Sequence, residues 1–143
     1  MRGLACAAAL AVGTTALAHS GVDDPVVMKR MVGMTDIAAH TKLLGRMAKG
    51  QDPFDAAAAN TALDGIATEA ARIPAQFGDR VLHPRSEALP VIWERFETFT
   101  ARAEDLRDVA TNAQGTVTEA PDLDGVMRRI GKSCSACHEA FRK

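Results

Sequence analysis

Four stretches of the chain place apolar residues at steps close to three and four, the spacing of one helical face. The first runs from about Asp24 to Lys49, with Val27, Met31, Met34, Ala38, Leu44 and Met47 on its stripe. Asp23 or Asp24 can cap it, Pro25 suits a first helical position, and Gly50 ends it. The second is predicted to start at Asp52-Pro53, with Ala56, Ala59, Leu63, Ile66, Ala70 and Ile73 as its stripe and Pro74 marking its end or a kink. The third carries Ile92, Phe96, Phe99, Ala103, Leu106, Ala110 and Ala113 in alternating steps of four and three, a heptad seam with Trp93 beside it. The fourth spans about Leu123 to Arg142, with Leu123, Val126 or Met127, Ile130, Cys134, Cys137 and Phe141. The loops between them, Gly78 to Ser86 and Gln114 to Asp122, carry Gly and Pro. No segment alternates as a strand does, so the pattern predicts an all-α fold, an antiparallel four-helix bundle.

The stretch before the first helix reads differently. Met1-Arg2 is basic, Leu4 to Leu17 carries no charge, and Ala16-Leu17-Ala18 offers the small residues that a signal peptidase accepts. This predicts a secretory signal over 1–18, cleaved after Ala18, and a helical domain over 19–143. The apolar run falls short of the ~20 residues of a membrane span, and no second run follows. Cys6 has no apolar segment before it, so no lipid or membrane anchor is expected.

Charge narrows the partners. The chain holds 17 Lys and Arg against 18 Asp and Glu, and removal of the signal takes only Arg2 from that balance. A surface near neutrality speaks against nucleic acid. Two cysteines remain, Cys134 and Cys137. Exported proteins often oxidise such a pair, but a bridge across two intervening residues closes so small a loop that it stabilises almost nothing.

Those cysteines stand in Cys134-Ser135-Ala136-Cys137-His138, the C-x-x-C-H pattern of c-type haem attachment. On a helix, Cys134 and Cys137 are i and i+3, so both thiols share a face. Each can add across one vinyl group of a porphyrin to make a thioether. His138, at i+4 from Cys134, emerges near the same edge and can reach the iron as proximal ligand. Two other readings exist. A redox C-x-x-C pair usually opens a helix after a strand, whereas this one closes a helical chain. A zinc site needs a fourth ligand, and no second cluster is visible. The motif lies so close to the C-terminus that any group on the opposite face of the iron must come from an earlier helix.

The chain resembles the cytochrome c-prime family, the four-helix class of c-type cytochromes. The resemblance covers essentially all of the mature chain. It rests on Arg30 and Met34, on Lys49-Gly50 followed by Pro53-Phe54-Asp55-Ala56, on Leu89-Pro90-Val91-Ile92-Trp93, and most specifically on the block from Gly131 to Arg142. It implies one haem c per chain, held through Cys134 and Cys137, with His138 as proximal iron ligand. It places Met34 over the distal face, either as an apolar block that leaves the iron five-coordinate or, as in a low-spin subset, as a sixth ligand. It places Arg30 close to the haem, where a guanidinium can pair with a propionate or tune the potential. It sets Arg142 near the proximal imidazole, and Glu87 and Ala88 in a loop that approaches the haem edge. The residues alone leave plainer roles open: Arg30 as an exposed helix residue, Met34 as core filler, Arg142 in solvent, and Trp93 as core. His40 reads as a polar-face residue, His83 as a loop residue, His19 as a mobile terminus, and Met28, Met31, Met47 and Met127 as core.

The functional expectation is a periplasmic c-type haem protein that transfers single electrons, binds nitric oxide or carbon monoxide, or does both. Its partners would be small redox proteins or diatomic gases, and the resemblance allows a homodimer through the first two helices. The alternative is a low-spin electron carrier with His138 and Met34 as axial ligands and no gas binding. An enzyme, a peroxidase or nitric oxide reductase, ranks last. It needs an acid–base group beside the iron, and the only neighbours of Met34 on offer are Asp36 and His40. The expectation is therefore that the chain is not an enzyme.

Overall fold

The computed structural model describes residues 21–143. The expected signal segment and His19 lie outside them. The described chain is helical: α1 (Pro25–Ala48), α2 (Ala56–Gln76), a short α3 (Val91–Glu94), α4 (Phe96–Ala113) and α5 (Asp122–Phe141). The four long helices close a ring, α1 on α2, α2 on α4, α4 on α5 and α5 back on α1. Among the described residues the nearest thing to a strand is one antiparallel bridge between Ala88 and Arg142. None of these helices is long and apolar enough to cross a membrane.

Local chemistry sets the helix ends. The Asp24 carboxylate accepts from the amides of Val26 and Val27, at 2.8 and 3.0 Å, and Pro25 follows at the first position. At the other end of α1 the chain reverses through Gly50 at φ +65°, a conformation that costs a glycine little. The second helix starts later than its sequence predicts. Asp52 is taken by Arg46, which donates to both its oxygens at 2.6 Å, so the cap falls to Asp55, whose carboxylate accepts from Ala58 N at 2.9 Å. Pro74 does not stop α2. The helix continues to Gln76 because a proline forfeits only its own amide bond, and Phe77 N still reaches Ile73 O at 3.1 Å.

The third predicted helix is interrupted at Arg95, although neither Pro nor Gly stands there. On one side of the break Trp93 donates through Nε1 to Phe77 O at 2.8 Å; at the break itself the Arg95 guanidinium lies 5.7 Å from the Phe141 ring centroid. The two halves of the heptad seam thus answer to different neighbours. The seam still fills the core: Ile92, Phe99, Ala103, Leu106, Ala110 and Ala113 are buried. Against them lie the small face of α2 (Ala59, Ala62, Ala67, Ala70) with Leu63 and Ile66, and Leu123, Val126 and Ile130 of α5. Phe99 is a hinge of aromatic packing, 4.9 Å from Phe77 and 5.3 Å edge-on from Phe141. Side chains also tie down the loop into α5. Asn60 of α2 accepts from Gly115 N at 2.7 Å, and the Asp122 carboxylate gathers the amides of Thr118 and Glu119 and the Thr118 hydroxyl.

Candidate functional site

The helices leave a cavity of about 1030 Å³ that opens to solvent, just above the usual ~300–1,000 Å³ range of small-molecule sites. Its inner walls are Met31, Met34 and Ala38 from α1, Ile73 and Phe77 from the end of α2, Ile92 from α3, Phe99, Ala103 and Leu106 from α4, and Met127 and Phe141 from α5. Cys134, Cys137 and His138 line the same space, with Glu87, Ala88 and Arg142. The residues that the resemblance assigns to the haem, Arg30 and Met34 among them, therefore all border this one cavity.

The apolar stripe of α1 divides in two when folded. Val27, Leu44 and Met47 enter the core, joined by Gly33 and Ile37, while Met31, Met34 and Ala38 turn to the cavity. Periodicity reports that a face is apolar; whether another helix or a cofactor covers it depends on the neighbours. Met31 and Met127 are the site residues that sequence reasoning assigned to the core. Their place on the stripes was the right signal, read for the wrong neighbour. The basic side chains Lys42, Arg46, Lys49, Arg85 and Arg102 also border the cavity, and nothing in a solvated helix face distinguishes them beforehand.

The two thiols are free and half-buried. Burial pushes the pKa of both up; at Cys137 the neighbouring Cys134 adds to the rise and Arg102 opposes it. Raised pKa values leave neutral thiols, the reverse of the low-pKa thiolate that a redox C-x-x-C pair requires. His138 is displaced the other way. Burial, then the nearby Arg142 charge, lower its pKa, and Glu87 partly offsets them. Its imidazole is held in the neutral form that binds metal. Among the described residues no group of three or more His, Cys, Asp and Glu converges as a ready metal cage. Two thiols on one face of α5, a neutral imidazole one residue on, and a broad apolar slot before them fit a flat porphyrin that makes two thioethers and takes one axial nitrogen.

Arg30 borders the cavity, where the resemblance expects it, and is buried. It is 3% exposed, not a solvent residue. Its Nε donates to Gln76 O (2.8 Å), Nη1 to Val81 O (2.7 Å) and Nη2 to Asp79 O (2.6 Å), and its guanidinium lies 4.4 Å from the Phe77 ring centroid and 5.6 Å from that of Trp93. All three nitrogens are bonded to backbone carbonyls at the end of α2 and in the turn after it, so the guanidinium clasps α1 to that turn. Burial lowers its pKa, with Asp24 and Asp79 opposing. Trp93 is half-buried and packs on the core away from the cavity lining. Neither Asp36 nor His40 borders the cavity. The His40 ring lies instead over Gly65 of α2, so close that a Cβ there would meet Nε2 at 2.3 Å. His83 accepts from Arg85 N at 3.1 Å and stands 3.8 Å from Asp23.

Glu87 and Ala88 reach the site by pairing with the C-terminus. Leu89 N donates to Phe141 O (3.0 Å) and Lys143 N to Glu87 O (2.9 Å), on either side of the Ala88–Arg142 bridge. The Arg142 Nε donates to Glu87 Oε2 at 2.5 Å, and Nη2 contacts the same oxygen. Arg142 N in turn donates to His138 O at 3.0 Å.

Comparison with known proteins agrees with this geometry. The family profile described as Cytochrome C' matches residues 25–142. Cytochrome c-556 of Agrobacterium fabrum is 37% identical over 122 residues, covering 81% of this chain and 80% of that protein. Cytochrome c-554 of Cereibacter sphaeroides is 34% identical over 115 residues, covering 77% and 86%. Among solved structures, that of oxidised cytochrome c556 from Rhodopseudomonas palustris superposes with a TM-score of 0.76 at 31% identity, over 83% of this chain and 96% of the other. A nitric oxide complex of a cytochrome c-prime variant from Alcaligenes xylosoxidans gives 0.73 at 28%, over 82% and 94%. With its four-helix bundle and its c-type haem motif facing one apolar cavity, the chain belongs to the cytochrome c-prime family.

Proposed function

We propose that the chain is an exported one-electron carrier that holds one haem through thioethers from Cys134 and Cys137, with His138 and Met34 as the two axial ligands. The observation that carries this reading is the common cavity: the His138 imidazole on α5 and the Met34 thioether on α1 line one apolar space. The haem supplies the single electron's site, and the protein tunes its potential; a thioether in the axial position raises that potential. The chain's own part is to keep the site dry and stiff. Ile73, Phe77, Phe99 and Leu106 exclude water from the walls, and a low-dielectric wall favours the less charged, reduced state, which raises the potential further. Small redox proteins are then the natural partners. The segment before residue 19 supports export to the periplasm, the compartment in which a C-x-x-C-H motif receives its haem.

A second reading has a specific support. A structural relative is a nitric oxide complex, and a bulky Met34 that leaves the iron open would admit only small diatomics. Arg30 decides between the two readings in neither direction, because its donors are bonded to carbonyls. An enzymatic role finds little support, because Asp36 and His40 lie off the cavity.

The test is the absorption spectrum of the reduced holoprotein with and without carbon monoxide. A sharp low-spin spectrum indifferent to the gas is expected, with Met34→Ala becoming high-spin and gas-responsive. A wild-type spectrum that is broad and shifts readily with carbon monoxide would refute Met34 ligation and leave gas binding in its place.

A further inference from the structure

The ion pair between Glu87 and Arg142 lines the same cavity as His138. Arg142 is the extended residue that ends α5, and its amide donates to His138 O at 3.0 Å, which ties it to the last turn of the helix. The loop before α3 brings Glu87 to it. Two backbone bonds and the Ala88–Arg142 bridge fix the register of that loop against the C-terminus. Both side chains line the cavity with His138. Among the described residues Glu87 is the only acidic one in the lining, against a rim of Lys and Arg.

We propose that Glu87 is a positioning residue for the proximal side: it holds Arg142 against the His138 end of α5 and cancels most of that cation's charge at the iron. The sequence resemblance gave Glu87 a place at the haem edge. The structure gives it a partner instead, and makes the pair the unit that acts. An uncompensated cation beside the imidazole favours the reduced, less positive iron; an uncompensated carboxylate favours the oxidised one. The two side chains are about half exposed, at 49% and 56%. Solvent therefore screens each charge, and the effect is a modest one.

The inference rests on His138 binding the iron, and the experiment separates the two. Midpoint potentials are measured on purified holoproteins: wild type, Glu87→Gln, Arg142→Gln and the double variant. Glutamine keeps an acceptor for Arg142 but removes the charge, so fold and charge are perturbed separately. Glu87→Gln is expected to raise the ratio of reduced to oxidised protein at fixed potential about threefold, equivalent to about 28 mV for one electron. Arg142→Gln is expected to lower it by a similar factor, and the double variant to return close to wild type. Potentials unchanged in both single variants, or shifts of the same sign in both, would overturn the proposal. So would Glu87→Gln that lowers thermal stability and leaves the potential alone, since that is a purely structural tie. If His138→Ala retained the wild-type haem spectrum, the ligand assignment itself would fail, and this inference with it.

Discussion

Replacing Arg30 by methionine keeps much of the side chain's volume and deletes its charge and all its donors. The wild-type guanidinium satisfies the carbonyls of Gln76, Val81 and Asp79 at 2.6–2.8 Å. Asp79 is exposed, so its carbonyl can turn to water, but Gln76 and Val81 are partly covered. Leaving two covered acceptors without a donor costs roughly 1–3 kcal/mol each. Loss of the cation stacked on Phe77 and Trp93 adds about 0.5–1 kcal/mol. Against this stands the desolvation of a 3% exposed cation, which the variant no longer bears. The balance is a loss of about 3 kcal/mol, or about 10 °C in Tm for a domain of this size. Urea unfolding of the holoprotein, followed by far-ultraviolet circular dichroism, measures it, with an unchanged slope showing that the same surface is exposed. Arg30→Lys keeps the charge, but one ammonium cannot span three carbonyls, so it falls between wild type and Arg30→Met. Stability within 0.5 kcal/mol of wild type, together with a large shift in midpoint potential, would refute the clasp and favour the propionate role.

Other consequences are as specific. Gly65→Ala drives a methyl towards the His40 ring, the tip of a half-buried side chain that can rotate away, so with alanine's better helix propensity stability should stay within about 1 kcal/mol of wild type; urea unfolding measures it, and a loss of several kcal/mol would show that the ring is pinned. Asp122, held below the usual carboxylate range by the amides of Thr118 and Glu119 and the Thr118 hydroxyl, contributes stability in full above its unfolded value of about 3.9 and loses it as pH falls through its lower folded value. Acid unfolding of Asp122→Asn should accordingly be less steep below that pH than wild type, with the two curves converging at the acid end; parallel curves would contradict the assignment. Cys134→Ala and Cys137→Ala should each retain haem through one thioether, and the double variant should lose all haem under denaturing electrophoresis stained for peroxidase activity.

The four helices, the cavity face of α5 and the haem motif were legible in the chain because each depends on residues within one or two turns. The i, i+3, i+4 placement of Cys134, Cys137 and His138 is a local geometry, and any helix delivers it. Caps are local as well, yet the cap of α2 went from Asp52 to Asp55 because Arg46, at the end of the preceding helix, bound Asp52 first. The break at Arg95 has no local cause in the sequence. It accompanies contacts of Trp93 with Phe77 and of Arg95 with Phe141, far apart along the chain.

The same distinction separates what the chain alone determined about the site from what folding decided. Apolar periodicity required that Met31, Met34 and Ala38 be covered, but an apolar face costs the same in water whether a helix or a porphyrin later shields it. Only the packing of α1 against α2 and α5 turned those residues to the cavity. Likewise, the sequence offered Arg30 as a charge near a haem, and a buried charge must find acceptors. That three carbonyls at the end of α2 and after it were within reach depended on how the chain returned past Phe77. Tertiary structure also made a pair of Glu87 and Arg142, residues 55 apart, since no spacing rule links a loop to a helix end until backbone hydrogen bonds set them side by side.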